Sequence, residues 1–97
     1  MPTVGLSPRA LEDLERLAEF LLEEEPTAAA GTAALIMGGL RALADHPLLG
    51  RPAAGVLREL VISRGRTGYI ALYTFDEQRD LVWVQHIRHQ REAGFEE

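Results

Sequence analysis

The sequence contains no cysteine and no lysine. Without cysteine the chain has no disulfide, no thiolate nucleophile and no thiolate metal ligand, and nothing in it requires an oxidising compartment. All ten cationic side chains are arginines. A GC-rich genome explains this bias, but arginine also binds carboxylates and phosphates bidentately, as lysine does not.

Long apolar runs are also missing. The longest stretch without a charged residue spans residues 26–40, which is shorter than the roughly 20 apolar residues of a membrane helix. This stretch therefore predicts a buried helix in a soluble domain. Residues 1–4 lack the basic start and apolar segment of a signal peptide, so we expect a cytoplasmic protein with no membrane partner.

The 97 residues suit a single domain, residues 1–97, with one modest core. The net charge of −5 is unevenly distributed. Residues 1–50 carry three arginines against eight acids, residues 51–91 carry seven arginines against four acids, and residues 92–97 add three glutamates. The acidic total argues against nonspecific nucleic-acid binding, whereas the second half could present a basic face.

Helical signals dominate the first half of the chain. Ser7-Pro8 is a preferred start, because serine caps a helix and proline suits its first turn. Apolar residues then recur at spacings of three and four, with Asp13 and four glutamates off that stripe, which predicts a helix over residues 8–24. A second helix runs from Pro26 to about residue 45. Its Gly38-Gly39 pair suggests close approach to another helix.

The second half changes to the period of two that is typical of strands. Residues 3–6 form a short strand candidate near the start, and residues 57–62, 69–75 and 81–87 form three more. Residues 47–55 predict a loop, residues 63–68 and 76–80 predict turns, and residues 88–95 predict a basic turn or tail. The fold class is therefore α+β with the order β-α-α-β-β-β, in which a helical hairpin packs on one face of a small antiparallel sheet.

Segments spread along the chain carry a family resemblance. They are residues 6–10 with Asp13 and Leu14, then 43–47, 50–52, 57–62, 68–73 and 87–95. In this order and spacing they resemble the ParE/RelE superfamily of type II toxin–antitoxin toxins, and within it the ParE-like, plasmid-stabilisation branch. Residues 88–94, with the sequence Arg-His-Gln-Arg-Glu-Ala-Gly, are the most specific part.

The resemblance implies a toxin that is neutralised by a cognate antitoxin, ParD-like or related. Such a toxin forms a hetero-oligomeric complex with the antitoxin, and the complex binds DNA only through the antitoxin. ParE-like members inhibit DNA gyrase, which requires a recognition surface and no catalytic residues. The surface implied for the target comprises His86, Arg88, His89, Arg91 and Phe95.

A RelE-like, ribosome-dependent mRNA endonuclease is the alternative, and a non-toxic interaction module is a third possibility. RNA cleavage needs proton-transfer groups and cations. The candidates for these roles are Arg58, Arg64, Tyr69, Arg88, His89 and Arg91. The absence of lysine and the negative net charge argue against this alternative.

The antitoxin is expected to cover apolar residues of the helical hairpin and the sheet edge. The candidates are Leu14, Leu17, Leu21, Leu40, Leu60, Tyr73 and Trp83. The three histidines show no metal-ligand spacing, so we expect no metal and no cofactor.

Overall fold

Two helices cover one face of a five-stranded sheet in the computed structural model, which describes residues 1–64 and 67–90. The elements in chain order are β1 (Thr3–Leu6), α1 (Pro8–Glu24), α2 (Pro26–Asp45), β2 (Arg51–Pro52), β3 (Arg58–Arg64), β4 (Thr67–Asp76) and β5 (Leu81–His89). The order of the strands in the sheet is β1-β5-β4-β3-β2.

The start of α1 follows the predicted capping chemistry. The Ser7 hydroxyl accepts a hydrogen bond from the amide of Ala10 at 3.0 Å, and Pro8 occupies the first turn. Ala10, Leu17 and Leu21 form the buried stripe of the helix. The predicted bounds of both helices are confirmed, because their caps and apolar spacing are encoded locally.

The helix α2, which is uncharged from Pro26 to Leu40, is buried on one side only. Its buried residues are Thr32, Ile36, Leu40 and Leu43. By length and composition α2 would suffice to cross a membrane, and about a fifth of it is buried inside the domain. Ile36, Leu40 and Leu43 belong to the same core as the sheet, so this apolar side of α2 serves the domain core.

The glycine pair of α2 does not mediate a helix–helix contact, so that expectation is wrong. A Cβ at Gly39 would lie 2.8 Å from the side chain of Ile62, whereas a Cβ at Gly38 would meet nothing within 4 Å. The close approach is between α2 and β3.

The sheet is mixed. Strands β3, β4 and β5 form the predicted antiparallel meander, while β1 pairs with β5 in parallel from Thr3↔Leu81 to Leu6↔Val84. The short β2 lies inside the predicted loop and pairs only with Arg58 and Glu59 of β3. The interior position of β5 agrees with its apolar sequence.

The strand ends differ from the predicted ones. Strand β3 begins at Arg58 and continues to Arg64, and β4 begins at Thr67, which shortens the predicted turn. Strand β5 continues through His89, so Arg88 and His89 are strand residues and not part of a turn. Both pair across to β4, with Ile70 and Tyr69 respectively, and this tertiary pairing extends a strand whose apolar pattern ends at Ile87.

Strand β5 contains a β-bulge. Tyr73 pairs with Val84 and Leu72 pairs with His86, so Gln85 is an extra residue on β5. The buried residues of β5 are consequently Val82, Val84 and Ile87, and the period of two is broken at the bulge.

Candidate functional site

The last four residues of β5, His86 to His89, lie where the parallel pairing with β1 has ended. We call them the β5 end. On one edge they pair with β4. On the other edge β1 stops at Leu6, opposite Val84, and the chain turns through Ser7 into α1. The backbone groups of β5 beyond that point need other partners.

Ser7 and two side chains of α1 supply these partners. The Ser7 amide donates to the carbonyl of Val84 and its hydroxyl donates to the carbonyl of Gln85, each at 2.9 Å. The amide of Ile87 donates to Asp13 Oδ2 at 2.9 Å, and Arg16 Nη2 lies 3.4 Å from the Ile87 carbonyl. The start of α1 therefore caps the free edge of β5.

Asp13 is the centre of this arrangement. It is 3% exposed. Its Oδ2 lies 2.5 Å from Nδ1 of His86, and its Oδ1 lies 3.4 Å from Nε of Arg9 and 3.5 Å from Nη2 of Arg16. Arg9 Nη2 also lies 3.3 Å from Nε2 of His86. A buried carboxylate needs such hydrogen-bonding and charged partners to offset its lost hydration.

The remaining residues of the β5 end are held locally. Arg88 Nη1 donates to the carbonyl of His89 at 3.1 Å and to that of Gln90 at 3.2 Å. The ring of His89 meets the ring of Tyr69 edge-on, with centroids 5.2 Å apart. The structure thus brings His86, Arg88 and His89 together on one strand, whereas Arg91 and Phe95 lie outside the described residues.

Only some of the residues proposed for RNA cleavage are brought together: Tyr69 and His89 are in contact, whereas Arg58 is distant from both. Arg58 pairs with Tyr73, four positions along β4 from Tyr69, which is about 13 Å at the usual strand rise. Its Nη1 donates to the carbonyl of Gly50 at 2.7 Å and lies 3.4 Å from that of Leu48, so Arg58 anchors the loop before β3. Tyr69 is only 3% exposed. The backbone of Arg64 ends β3, and its side chain lies outside the described part of the structure.

Most of the residues proposed to contact an antitoxin lie in the core of the domain. The expectation that their side chains form the contact surface is therefore corrected. Leu17, Leu21, Leu40, Leu60 and Tyr73 are all at most 9% exposed. They pack against their own chain and offer almost no surface to a partner. Leu14 is partly buried against the core, and Trp83 is 37% exposed, so a direct contact stays a prediction for these two.

Trp83 has a structural contact as well as an exposed surface. A Cβ added at Gly5 of β1 would lie 3.0 Å from two atoms of the Trp83 ring. The ring therefore packs closely on the backbone of the neighbouring strand at a position where a larger residue would not fit.

Asp13 is the main residue that the sequence interpretation missed, because it was placed with the solvent-exposed acids of α1. Its spacing contained a signal. It lies three residues after Ala10 and four before Leu17, and both belong to the buried stripe. A carboxylate at such a position needs a partner from elsewhere in the fold.

Sequence comparison relates the chain to known toxins. The model of a family described as "ParE toxin of type II toxin-antitoxin system, parDE" matches residues 4–94. A relative named Toxin RelE3, from Caulobacter vibrioides, is 39% identical over 92 residues, which cover 95% of this chain and 98% of the relative.

The fold is similar to solved structures of toxin–antitoxin systems. The structure titled "Chromosomal ParDE TA system from P. aeruginosa" superposes with a TM-score of 0.75 at 18% identity, over 90% of this chain and 94% of that chain. The RelBE2 toxin–antitoxin complex from Mycobacterium tuberculosis gives a TM-score of 0.65 at 24% identity, over 94% and 93%. At these identities the likeness concerns the fold alone.

Proposed function

The chain belongs to the family of ParE toxins of type II toxin–antitoxin systems, and we propose that it arrests growth in the cytoplasm by inhibiting DNA gyrase. A toxin of this type has a cognate antitoxin as its partner. Inhibiting a topoisomerase by binding requires a rigid surface and no catalytic group in the toxin. We assign that surface to the β5 end together with Arg91 and Phe95.

One observation carries this proposal: the β5 end is a strand held on both edges that places two partly buried histidines and an arginine close together. It is held by β4 on one edge and by α1 side chains on the other. Preorganised charged and aromatic groups on a rigid element are what a protein target recognises well.

The structure also weakens the ribonuclease alternative. Arg58 is committed to the carbonyls of the loop before β3, and Tyr69 is buried against the β5 end. Both side chains therefore support the fold, and of the four candidate arginines Arg64, Arg88 and Arg91 remain for stabilising phosphorane charge. The net charge of −5 further disfavours entry into a ribosomal site surrounded by RNA.

Two biochemical assays run side by side test the proposal. The toxin is added to purified gyrase in supercoiling and DNA-cleavage assays, and to translating ribosomes in an mRNA-cleavage assay. Trapped, cleaved DNA with intact mRNA is the expected result. Cut mRNA with unaffected gyrase would refute gyrase as the target.

The second candidate, mRNA cleavage, is favoured by a single contact. A histidine paired with a buried carboxylate is a common arrangement for a general base, and His86 with Asp13 has that geometry. If mRNA is cut, His86 is the first residue to substitute. If neither assay responds and expression does not arrest growth, the chain is a non-toxic interaction module.

The antitoxin is expected on the outer face of the helical hairpin. Leu11 and Leu22 of α1 are 50% and 61% exposed, and they lie on one side of the helix because they are eleven residues, about three turns, apart. Glutamates at positions 12, 15, 19 and 23 lie beside them on the same helix. An apolar surface with an acidic border fits an amphipathic antitoxin segment with arginine or lysine at its margins.

The outer edge of β3 is the expected second contact. The short β2 covers only Arg58 and Glu59, so no strand pairs with the outer edge of β3 from Leu60 to Arg64 within residues 1–64 and 67–90. Such an edge can accept a strand from a partner. Protection of amides in β3 and α1 from hydrogen exchange on complex formation would support both contacts, and no protection in either would refute them.

A further inference from the structure

Asp13 contacts both a backbone amide and a side chain of the β5 end. Its Oδ2 accepts from the backbone amide of Ile87 at 2.9 Å and lies 2.5 Å from Nδ1 of His86. One carboxylate oxygen therefore fixes the backbone of β5 at Ile87 and also orients the side chain of His86, which belongs to the proposed target surface. Asp13 itself is 3% exposed and cannot be part of that surface.

The contacts of His86 with Asp13 and Arg9, both within the described residues, favour one tautomer. An ionised carboxylate only accepts hydrogen bonds, so Nδ1 of His86 must carry the proton that faces Asp13. An arginine guanidinium only donates, so Nε2, which lies 3.3 Å from Arg9 Nη2, acts as an acceptor. Asp13 and Arg9 together therefore favour the Nδ1–H form of His86.

The remaining contacts of Asp13 explain how a buried carboxylate can be retained here. Nε of Arg9 and Nη2 of Arg16 flank Oδ1, and these two arginines are 50% and 45% exposed. They provide positive charge from the solvent side, while the Ile87 amide and the His86 ring provide hydrogen bonds from the β5 side. Removing the carboxylate would leave the free edge of β5 without its acceptor.

We propose that Asp13 is a positioning residue of the toxin: it sets the tautomer and orientation of His86 and docks the β5 end on α1. The part of this inference that concerns toxicity rests on the proposed function, because it takes the β5 end to be the surface that engages the target. The part that concerns the tautomer and orientation of His86 does not depend on the proposed function.

The variant Asp13→Asn tests the inference, with Asp45→Asn as its matched control. Both change one helical aspartate to asparagine, but Asp45 is exposed at the end of α2. Long-range ¹H–¹⁵N correlation spectra of the full-length toxin report the tautomer of His86. Induced growth arrest reports toxicity whatever the target is, and affinity for the antitoxin reports whether the hairpin is intact.

The wild-type protein and Asp45→Asn are expected to show His86 as the Nδ1–H form and to arrest growth equally. Asp13→Asn is expected to show a mixture of tautomers and to need at least about tenfold more inducer for the same arrest, the size typical of one lost charge-assisted contact. Its affinity for the antitoxin should stay within about twofold.

Two results would overturn the inference. One is an Nε2–H form of His86 in the wild-type protein. The other is full growth arrest by Asp13→Asn. If Asp13→Asn does not fold, Arg9→Gln carries the test, because it removes the contact at Nε2 and leaves the one at Nδ1. The tautomer of His86 should then stay unchanged. A mixture of tautomers in Arg9→Gln would show that Arg9 determines the tautomer, and it would refute the role of Asp13.

The outcomes separate this inference from the proposed function. Wild-type growth arrest without any effect on gyrase would refute gyrase as the target, while the comparison of Asp13→Asn with the wild type would still decide the positioning role. Inhibition of gyrase by both proteins alike would refute the positioning role and leave the proposed function standing. If the wild-type protein does not arrest growth, the link to toxicity is refuted and the tautomer of His86 decides the remainder.

Discussion

Gly39 of α2 lies so close to Ile62 of β3 that a Cβ at Gly39 would come within 2.8 Å of the Ile62 side chain. Ile62 is 6% exposed and packed in the core, so it has little room to move. The glycine thus sets the distance between α2 and the sheet.

Gly39→Ala should therefore destabilise the protein although alanine is the better helix former. Overpacking a core contact typically costs about 1–3 kcal/mol, which exceeds the gain in helix propensity of about 1 kcal/mol. Urea unfolding of the purified toxin measures this difference.

The neighbouring Gly38→Ala is the matched control, because a Cβ there meets nothing within 4 Å. It should leave stability unchanged or raise it by up to about 1 kcal/mol. Equal effects of the two substitutions would contradict the assignment of the close contact to Gly39.

Tyr73→Phe should loosen the loop before β3. The Tyr73 hydroxyl accepts from the amide of Gly50 and donates to the carbonyl of Pro47, both at 2.8 Å. The substitution leaves two backbone groups without this partner, so we expect a loss of about 1–3 kcal/mol of unfolding free energy. Arg51→Ala is the control on the same loop.

Arg51 forms a 2.7 Å ion pair with Glu59, but its side chain is 74% exposed. Exposed ion pairs contribute no more than about 1 kcal/mol, so Arg51→Ala should change stability little. A larger loss for Arg51→Ala than for Tyr73→Phe would show that the exposed pair, and not the hydroxyl, anchors the loop.

The double variant Arg88→Ala with Arg91→Ala should abolish toxicity and keep the fold and the binding of the antitoxin. Interface arginines often contribute about 2 kcal/mol or more, so losing two should lower inhibition by well over tenfold. The measurement is growth arrest on induction, with gyrase inhibition in parallel. Retained arrest would remove the C-terminal arginines from the target surface.

Arg41→Ala with Arg79→Ala is the control for charge. It removes the same number of positive charges, but from exposed positions on α2 and on the turn before β5. It should arrest growth like the wild type. A loss equal to that of Arg88→Ala with Arg91→Ala would point to a general effect of charge.

Leu22→Asp should weaken binding of the antitoxin. Leu22 is 61% exposed on the proposed docking face of α1, so an aspartate there need not disturb the core. A charge in an apolar contact should reduce affinity by about tenfold or more, as measured by calorimetry.

Leu48→Asp makes the same change at a leucine that is 59% exposed on the loop before β3, away from the hairpin face. Its affinity for the antitoxin should match that of the wild type. Equal losses at Leu22 and Leu48 would contradict the assignment of the hairpin face.

Much of the fold was predictable because its signals are local. Ser7-Pro8 and Pro26 mark the helix starts, and the spacing of apolar residues gives the bounds of both helices. The antiparallel meander follows from short polar turns between strands. The cap, the helix period and the turn each depend on residues within a few positions of one another.

The candidate site was predictable only in part. His86, Arg88 and His89 were named because the family resemblance implies a target surface there, and they do share the β5 end. Leu17, Leu40 and Tyr73 were named as contact residues because apolar side chains suit both a core and an interface. Only the packing of the helices on the sheet separates these two uses.

Composition and local pattern were enough to predict the fold class, the two helices and the apolar stripe of each. The tertiary structure was needed for the bulge at Gln85, for the approach of Gly39 to Ile62 and for the contact of Asp13 with His86, which are 73 residues apart in the chain. Helix caps and periodicity express short-range sterics and hydrogen bonding, and each short segment carries them independently. A buried carboxylate acquires its partners only when distant segments meet, because no local pattern specifies which strand edge α1 will cover.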